Sequence, residues 1–228
     1  MSRRIQSIIT AGVVAGGFSL LAVLERKRPL RRRTEPPAPR FARNLTLGAI
    51  AALVWRRPQP AVSRHGVAES VADILLLDYT LWWWHRWNHE CPPLWYFHSL
   101  HHRDADLDVS TAVRFHLGER LLASVHRSLQ IRLIRPSEFS IWLWETLLFA
   151  SILFHHSNVR LPVTAESRIV RWLVTPRMHG IHHSNLRQQS ETNYAALLTW
   201  WDVVHDKLLL DVPQDAITIG EPGGKDEG

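Results

Sequence analysis

The sequence predicts an all-α protein, a multi-pass membrane helical bundle that carries a histidine-rich cap on its cytoplasmic face. Three observations predict it. Ile5 to Leu24 is twenty residues without a charge, about the length a helix needs to cross a bilayer. Further apolar segments follow, separated by basic and proline-containing loops. Histidines then recur three and four residues apart, the spacing that places side chains on one helical face.

The elements follow in order. Arg3 and Arg4 precede the first apolar stretch, as they would a secretory leader, but the stretch is long for a leader core. It also runs into Glu25-Arg26-Lys27-Arg28 without a small-residue cleavage site, so a retained membrane helix is expected. Arg26 to Arg43 holds eight basic residues, the main source of the formal charge of +6. Apolar segments flank this run on both sides, which favours a cytoplasmic loop against anionic lipid over a nucleic-acid site. Leu45 to Trp55 is a short, tilted or partial span, and Gln59 to Gly66 a polar linker. Val67 to Trp84 is a third helix, stopped beyond the following histidines by Pro92-Pro93. With the basic loop inside, that helix returns His85 to the cytoplasmic side. Eleven tryptophans suit a chain lying at a membrane interface.

Leu94 to His102 begins a new helix. Glu119 to Ile134 carries Arg120, Arg127 and Arg132, too many charges to cross, and Phe139 to Phe154 is short for a crossing. A helical hairpin from about Glu119 to Phe154 that dips into the membrane and returns keeps His155 and His156 on the side of His85. The expected organisation is membrane helices and basic loop over 1–66, a catalytic domain over 67–209 and a poorly ordered tail over 210–228.

The chemistry lies in the histidines. His85 and His89 are four apart; His98, His101 and His102 form an HxxHH box that recurs as His179, His182 and His183. On a helix all three members of such a box can face one metal centre. These eight imidazoles exceed what one ion needs, so the set reads as a polynuclear site of two iron ions. His155 and His156 end an apolar segment and are further candidates, as is His116. The single cysteine, Cys91, excludes internal disulfides and CxxC metal motifs. The HExxH pattern of zinc proteases is absent, and structural zinc normally draws on cysteines. Asp78 is placed to accept a hydrogen bond from a ligand imidazole. Glu90 is open to three readings: ligand, acceptor behind a ligand, or helix end.

These segments resemble the fatty acid hydroxylase/sterol desaturase superfamily of integral-membrane oxygenases over roughly Ile74 to Lys207. The resemblance rests on DYTLWWWHRWNHE (78–90), LWYFHSLHH (94–102), TAVRFHLGE (111–119), FHHSNVRLP (154–162), TPRMHGIHHS (175–184) and NYAALLTWWD (193–202). It implies the eight box histidines as iron ligands, with His155 or His156 joining them. The superfamily's HPxE appears as His116-Leu117-Gly118-Glu119, and its aromatic-Gly-Thr ending as His205-Asp206-Lys207. The implied reaction uses O2 and a reduced iron pair to attack an unactivated C–H bond of a lipid, giving an alcohol or an alkene. No CxxC ferredoxin pattern or GxGxxG fingerprint is present, so electrons are expected from a separate donor. A zinc-dependent membrane hydrolase and a non-catalytic metal-binding membrane protein are the rival readings.

Overall fold

Helices α1 (Arg3–Lys27), α2 (Pro37–Leu53), α3 (Val67–Glu90), α5 (Leu117–Ile134) and α6 (Glu138–His156) form a bundle. The cap is built from α4 (Pro92–His102), a 3-10 turn (Thr111–Val113), α7 (Val163–Ile169), α8 (Pro176–His182), α9 (Arg187–Ser190) and α10 (Trp200–Val204). The computed structural model describes residues 1–53 and 66–223. The end of the expected second segment, Trp55, and the linker over 59–65 lie outside the described residues. Among the described residues there is no strand, only isolated bridges such as Ser184 to Ile219.

Local chemistry sets the helix ends. The Ser137 hydroxyl accepts from the Ser140 amide at 3.0 Å and starts α6. Thr175 caps α8, with Pro176 at the first helical position, where its missing N–H costs nothing. Pro92 starts α4 in the same way, two residues before the expected Leu94. Arg135, in the left-handed region at φ 56°, closes α5. Both α3 and α6 continue through their histidines rather than ending before them, so the rings sit on regular helix.

Cross-contacts give the directions. Arg3 pairs with Glu138, Thr10 meets Thr146 at 2.8 Å, and Glu25 accepts from the Asn158 amide at 3.2 Å, so α1 and α6 run parallel. The Ser137 amide donates to Asp73 at 3.1 Å, aligning α3 with them. α2 and α5 run the opposite way: Arg40 of α2 pairs with Asp104 in the cap, and Gln130 of α5 donates to the Leu77 carbonyl halfway down α3. The basic loop therefore lies at the same end as the histidines. α5 leaves the cap and α6 returns to it, the out-and-back path expected between 119 and 154.

By length and composition α1 is the one helix among the described residues long and apolar enough to cross a membrane. α2 and α3 do not reach that composition. α5 does not reach it either, and most of its charges turn inward. Glu119, Arg127 and Gln130 point inward and are buried, whereas Leu121, Val125, Leu129 and Leu133 point outward at 50–79% exposure. Its apolar stripe faces away from the bundle, the reverse of a soluble protein's helix.

The cap is polar where it meets α2. Arg40 is fully buried between Asp104 and Asp108, and Asn44 donates to Asp104 at 2.8 Å. The C-terminal segment expected to be loose is tied to the cap as far as 223. The Asn185 amide donates to the Thr218 carbonyl at 2.9 Å, and Arg103 pairs with Glu221 at 2.6 Å.

Candidate metal centre

Four helices meet at the centre of the cap: the last turns of α3 and α6, and all of α4 and α8. Nine of the ten predicted histidines form two groups. His85, His89, His98, His102 and His182 make the first, and His101, His156, His179 and His183 the second. Within each group the nearest ring nitrogens all lie within 4.8 Å of one another. Each HxxHH box divides between the groups, contrary to the expectation that its three rings face one centre. On α4 the four-apart pair His98 and His102 joins the first group while His101 turns to the second. On α8 the four-apart pair His179 and His183 joins the second while His182 turns to the first. Adjacent residues diverge by about 100° around a helix, so neighbouring histidines reach different centres.

The nitrogen contacts test whether these residues fit a cation. His85 Nδ1 lies 2.6 Å from the Tyr194 carbonyl, and His182 Nδ1 lies 2.8 Å from the Thr192 carbonyl. A carbonyl only accepts, so both Nδ1 atoms carry the proton and both Nε2 atoms present bare lone pairs. Those Nε2 atoms are 3.1 Å apart. The second group repeats the arrangement. His101 Nδ1 donates to the Arg114 carbonyl at 3.1 Å, His156 Nδ1 to the Ile152 carbonyl at 2.8 Å, and their Nε2 atoms are 3.0 Å apart. His156 to His179 and His179 to His183 are both 3.1 Å between Nε2 atoms. Facing lone pairs repel unless a cation sits between them. His89 Nε2, His98 Nε2 and both nitrogens of His102 are buried without a protein partner. Burial, reinforced by neighbouring imidazoles, holds His101, His102, His179, His182 and His183 well below the ordinary histidine range. Neutral rings with inward lone pairs are the state a metal takes.

The groups behind the rings differ from expectation. Asp78 does not touch a histidine: it accepts from the Trp201 indole at 2.7 Å and the Leu198 amide at 3.2 Å. Asp202 answers it, accepting from the Trp82 indole at 2.8 Å and from the Tyr194 and Ala195 amides at 2.9 and 3.0 Å. This reciprocal Asp–Trp exchange locks the segment after α9 onto α3 and aims the Tyr194 carbonyl at His85. Glu90 faces solvent and pairs with Arg86 at 2.7 Å. His116 joins neither group; its Nδ1 accepts from the Gly118 amide at 3.0 Å and caps α5. The partner sequence reasoning missed is Glu119, buried and 2.9 Å from His98 Nδ1. The HLGE pattern carried the signal, but its last residue, not its first, reaches the site. Of the FHH pair, His156 enters the second group. His155 lies beside it, its ring centroid 4.1 Å from that of His179.

Below the rings a cavity of about 400 Å³ runs into the bundle. His85, His98, His101, His155, His156 and His179 form its roof. Small side chains of α2 (Gly48, Ala51, Ala52) and apolar ones of α3 and α6 (Leu81, Leu148, Phe149, Ile152) form its walls. The volume falls in the range of small-molecule sites. Away from the roof most of the lining surface is apolar; its polar members are Asn88, Glu119, Arg120, His126, Arg127 and Glu145.

Comparison with known proteins points the same way. The family model described as "Fatty acid hydroxylase" matches residues 70–207. The chain is 30% identical over 154 residues to ornithine lipid hydroxylase OlsE of Rhizobium tropici, covering 63% of this chain and 45% of that protein. It is 29% identical over 128 residues to human alkylglycerol monooxygenase, covering 56% and 28%. Methylsterol monooxygenase 1-3 of Arabidopsis thaliana is 27% identical over 142 residues, covering 61% and 47%. The matches span less than half the length of each of these relatives. No solved structure matches.

Proposed function

This chain belongs to the fatty acid hydroxylase family, and from that premise we propose that it is a membrane-bound di-iron oxidoreductase. It uses O2 to hydroxylate or desaturate a C–H bond of a lipid, whether a fatty acyl, sterol or isoprenoid chain. One observation carries the reading: two abutting groups of inward-facing imidazoles roof an apolar cavity. The first group would hold one iron and the second the other, with His155 placed to assist the second.

The number of donors supports iron over zinc. The five donors of the first group exceed the four-ligand habit of structural zinc, and both groups exceed the three protein ligands of catalytic zinc.

When bound, the iron pair supplies the reduction of O2 and an oxidant strong enough for an unactivated C–H bond. Hydroxylation balances as C–H plus O2, two electrons and two protons giving C–OH and water; the electrons come from a separate donor. The protein's share is placement. Glu119 and the carbonyls of Tyr194, Thr192, Arg114 and Ile152 fix ring orientation and tautomer. The cavity walls exclude water and hold an apolar chain with its reacting carbon under the roof. The relatives, an ornithine lipid hydroxylase, an alkylglycerol monooxygenase and a methylsterol monooxygenase, are all named for a lipid.

The same reading makes the protein multi-pass, with the metal site on the cytoplasmic face. Outward apolar residues on α1 (Ile8), α2 (Ile50), α3 (Val71) and α5 (Leu129) support a hydrocarbon surround, and the basic loop beside the cap supports the orientation. Purified protein should contain close to two irons per chain and consume O2 once reduced, and lipid profiles of cells with and without it should differ by one oxidised species. Zinc in equal amount with no oxygen uptake would favour a hydrolase instead; metal exchange without turnover would favour a binding protein.

A further inference from the structure

A second cleft, of about 780 Å³, lies in the cap beyond the end of α1, apart from the cavity under the histidines. Arg31, Arg32, Arg160 and Arg177 line it, with Gln214 and a single carboxylate, Asp215. Arg160 is braced by the Pro29 and Leu30 carbonyls at 3.0 and 3.2 Å, and Arg177 pairs with Glu166 at 2.6 Å. Arg32 is exposed and has no side-chain partner among the described residues.

Arg31 is the unusual member. Its amide and carbonyl are pinned to the Asn158 side chain at 2.8 and 2.9 Å, and its Nη1 donates to Gln214 at 2.6 Å and the Pro176 carbonyl at 3.3 Å. Its Nε and Nη2 are buried with no acceptor. Burial and the like charge of Arg177 lower its pKa to about 10. The guanidinium presses so closely on α8 that a Cβ at Gly180 would lie 2.2 Å from Nη1. A cation held in place with two donor nitrogens unused, among three more arginines, is costly unless an anion completes it.

We propose that this cleft binds an anionic phosphate group, one with no cation of its own beside it, as the monoester or diester of a lipid headgroup or of a soluble compound. Arginine's forked donors match phosphate oxygens, and several converge here. The cleft begins immediately after the candidate membrane helix α1, and a bilayer crossed by α1 would bring its lipid phosphates to this level. It is concave rather than flat, which fits a headgroup better than the face of an acidic protein. The site is independent of the reaction proposed above.

The test uses full-length protein in a neutral detergent. Short-chain phosphatidylglycerol, short-chain phosphatidylcholine and inorganic phosphate are titrated separately at constant ionic strength set with chloride, following the thermal midpoint. A saturable rise with phosphatidylglycerol alone assigns a lipid headgroup. A rise with inorganic phosphate assigns the phosphate group itself, from either source. Arg32→Ala should weaken either response about fivefold or more, the scale for one basic side chain at a phosphate surface, with metal content unchanged. Arg31→Gln should weaken it further; if that variant fails to fold, Arg32→Ala still decides. No saturable response beyond chloride, a response to phosphatidylcholine of equal size, or an unaltered response in Arg32→Ala would overturn the proposal.

Discussion

The two histidine groups draw on the same two boxes yet rest on different parts of the molecule. The first has outside help: Glu119 of α5 stands behind His98, and the carbonyls of Tyr194 and Thr192 stand behind His85 and His182. The second leans on nearer backbone, the Arg114 and Ile152 carbonyls, and on an unbroken chain of Nε2 contacts from His101 through His156 and His179 to His183. One centre is therefore exposed to side-chain substitution at a distance, and the other to whatever positions the turn at 111–114. Two ions of unequal affinity are the expected consequence.

The largest effect should come from the adjacent pair His182 and His183. Each alanine variant should bring metal content down to about one ion per chain, from opposite groups. Turnover should fall by more than the roughly 100-fold typical of a lost supporting partner. Elemental analysis with spectroscopy of the remaining ion checks this, and loss of the same ion in both variants would break the division of the boxes. Next in size is Arg40→Met, which takes from Asp104 and Asp108 their one fully buried cation and leaves only the longer contacts to Arg43 and Arg33 at 3.7 and 3.8 Å. Breaking such a pair costs about 3–5 kcal/mol, read by denaturant unfolding, and the second group should lose metal first because Asp104 also holds Thr111 at 2.8 Å. Glu119→Gln should lower metal affinity about 10- to 100-fold in the first group only, measured by competition with a chelator. Smallest is His116→Ala, about 1 kcal/mol of stability from a lost helix cap, with both ions retained; metal loss in that variant would return His116 to the site.

Much of this was legible before any coordinates. Spacing alone marked the histidine-bearing faces, because residues four apart on a helix share a face in any fold. The return path of α5 and α6 followed from a topological demand, that His155 and His156 meet His85. What could not be read were relations between helices. Asp78 sits about two and three turns before the first histidine pair, and local geometry made it an acceptor for a ring. Its partners, Trp201 and Leu198, lie 120 residues and more downstream. Nor does a sequence say that most of the charges of α5 turn inward and its leucines outward.

The chain by itself determined which rings are available and how neighbours along each helix are aimed, since residue type and a period of 3.6 need no partner. It also determined that at most one thiolate, that of Cys91, is available to compete with them. Tertiary structure decided how the rings divide into five and four, because that depends on the angle at which α4 and α8 present their faces to each other. It likewise decided that Glu119 rather than Asp78 meets an imidazole, and that Arg31 is held against Gly180 with donors to spare. Each of these is a distance between remote segments, set by packing and invisible to local spacing.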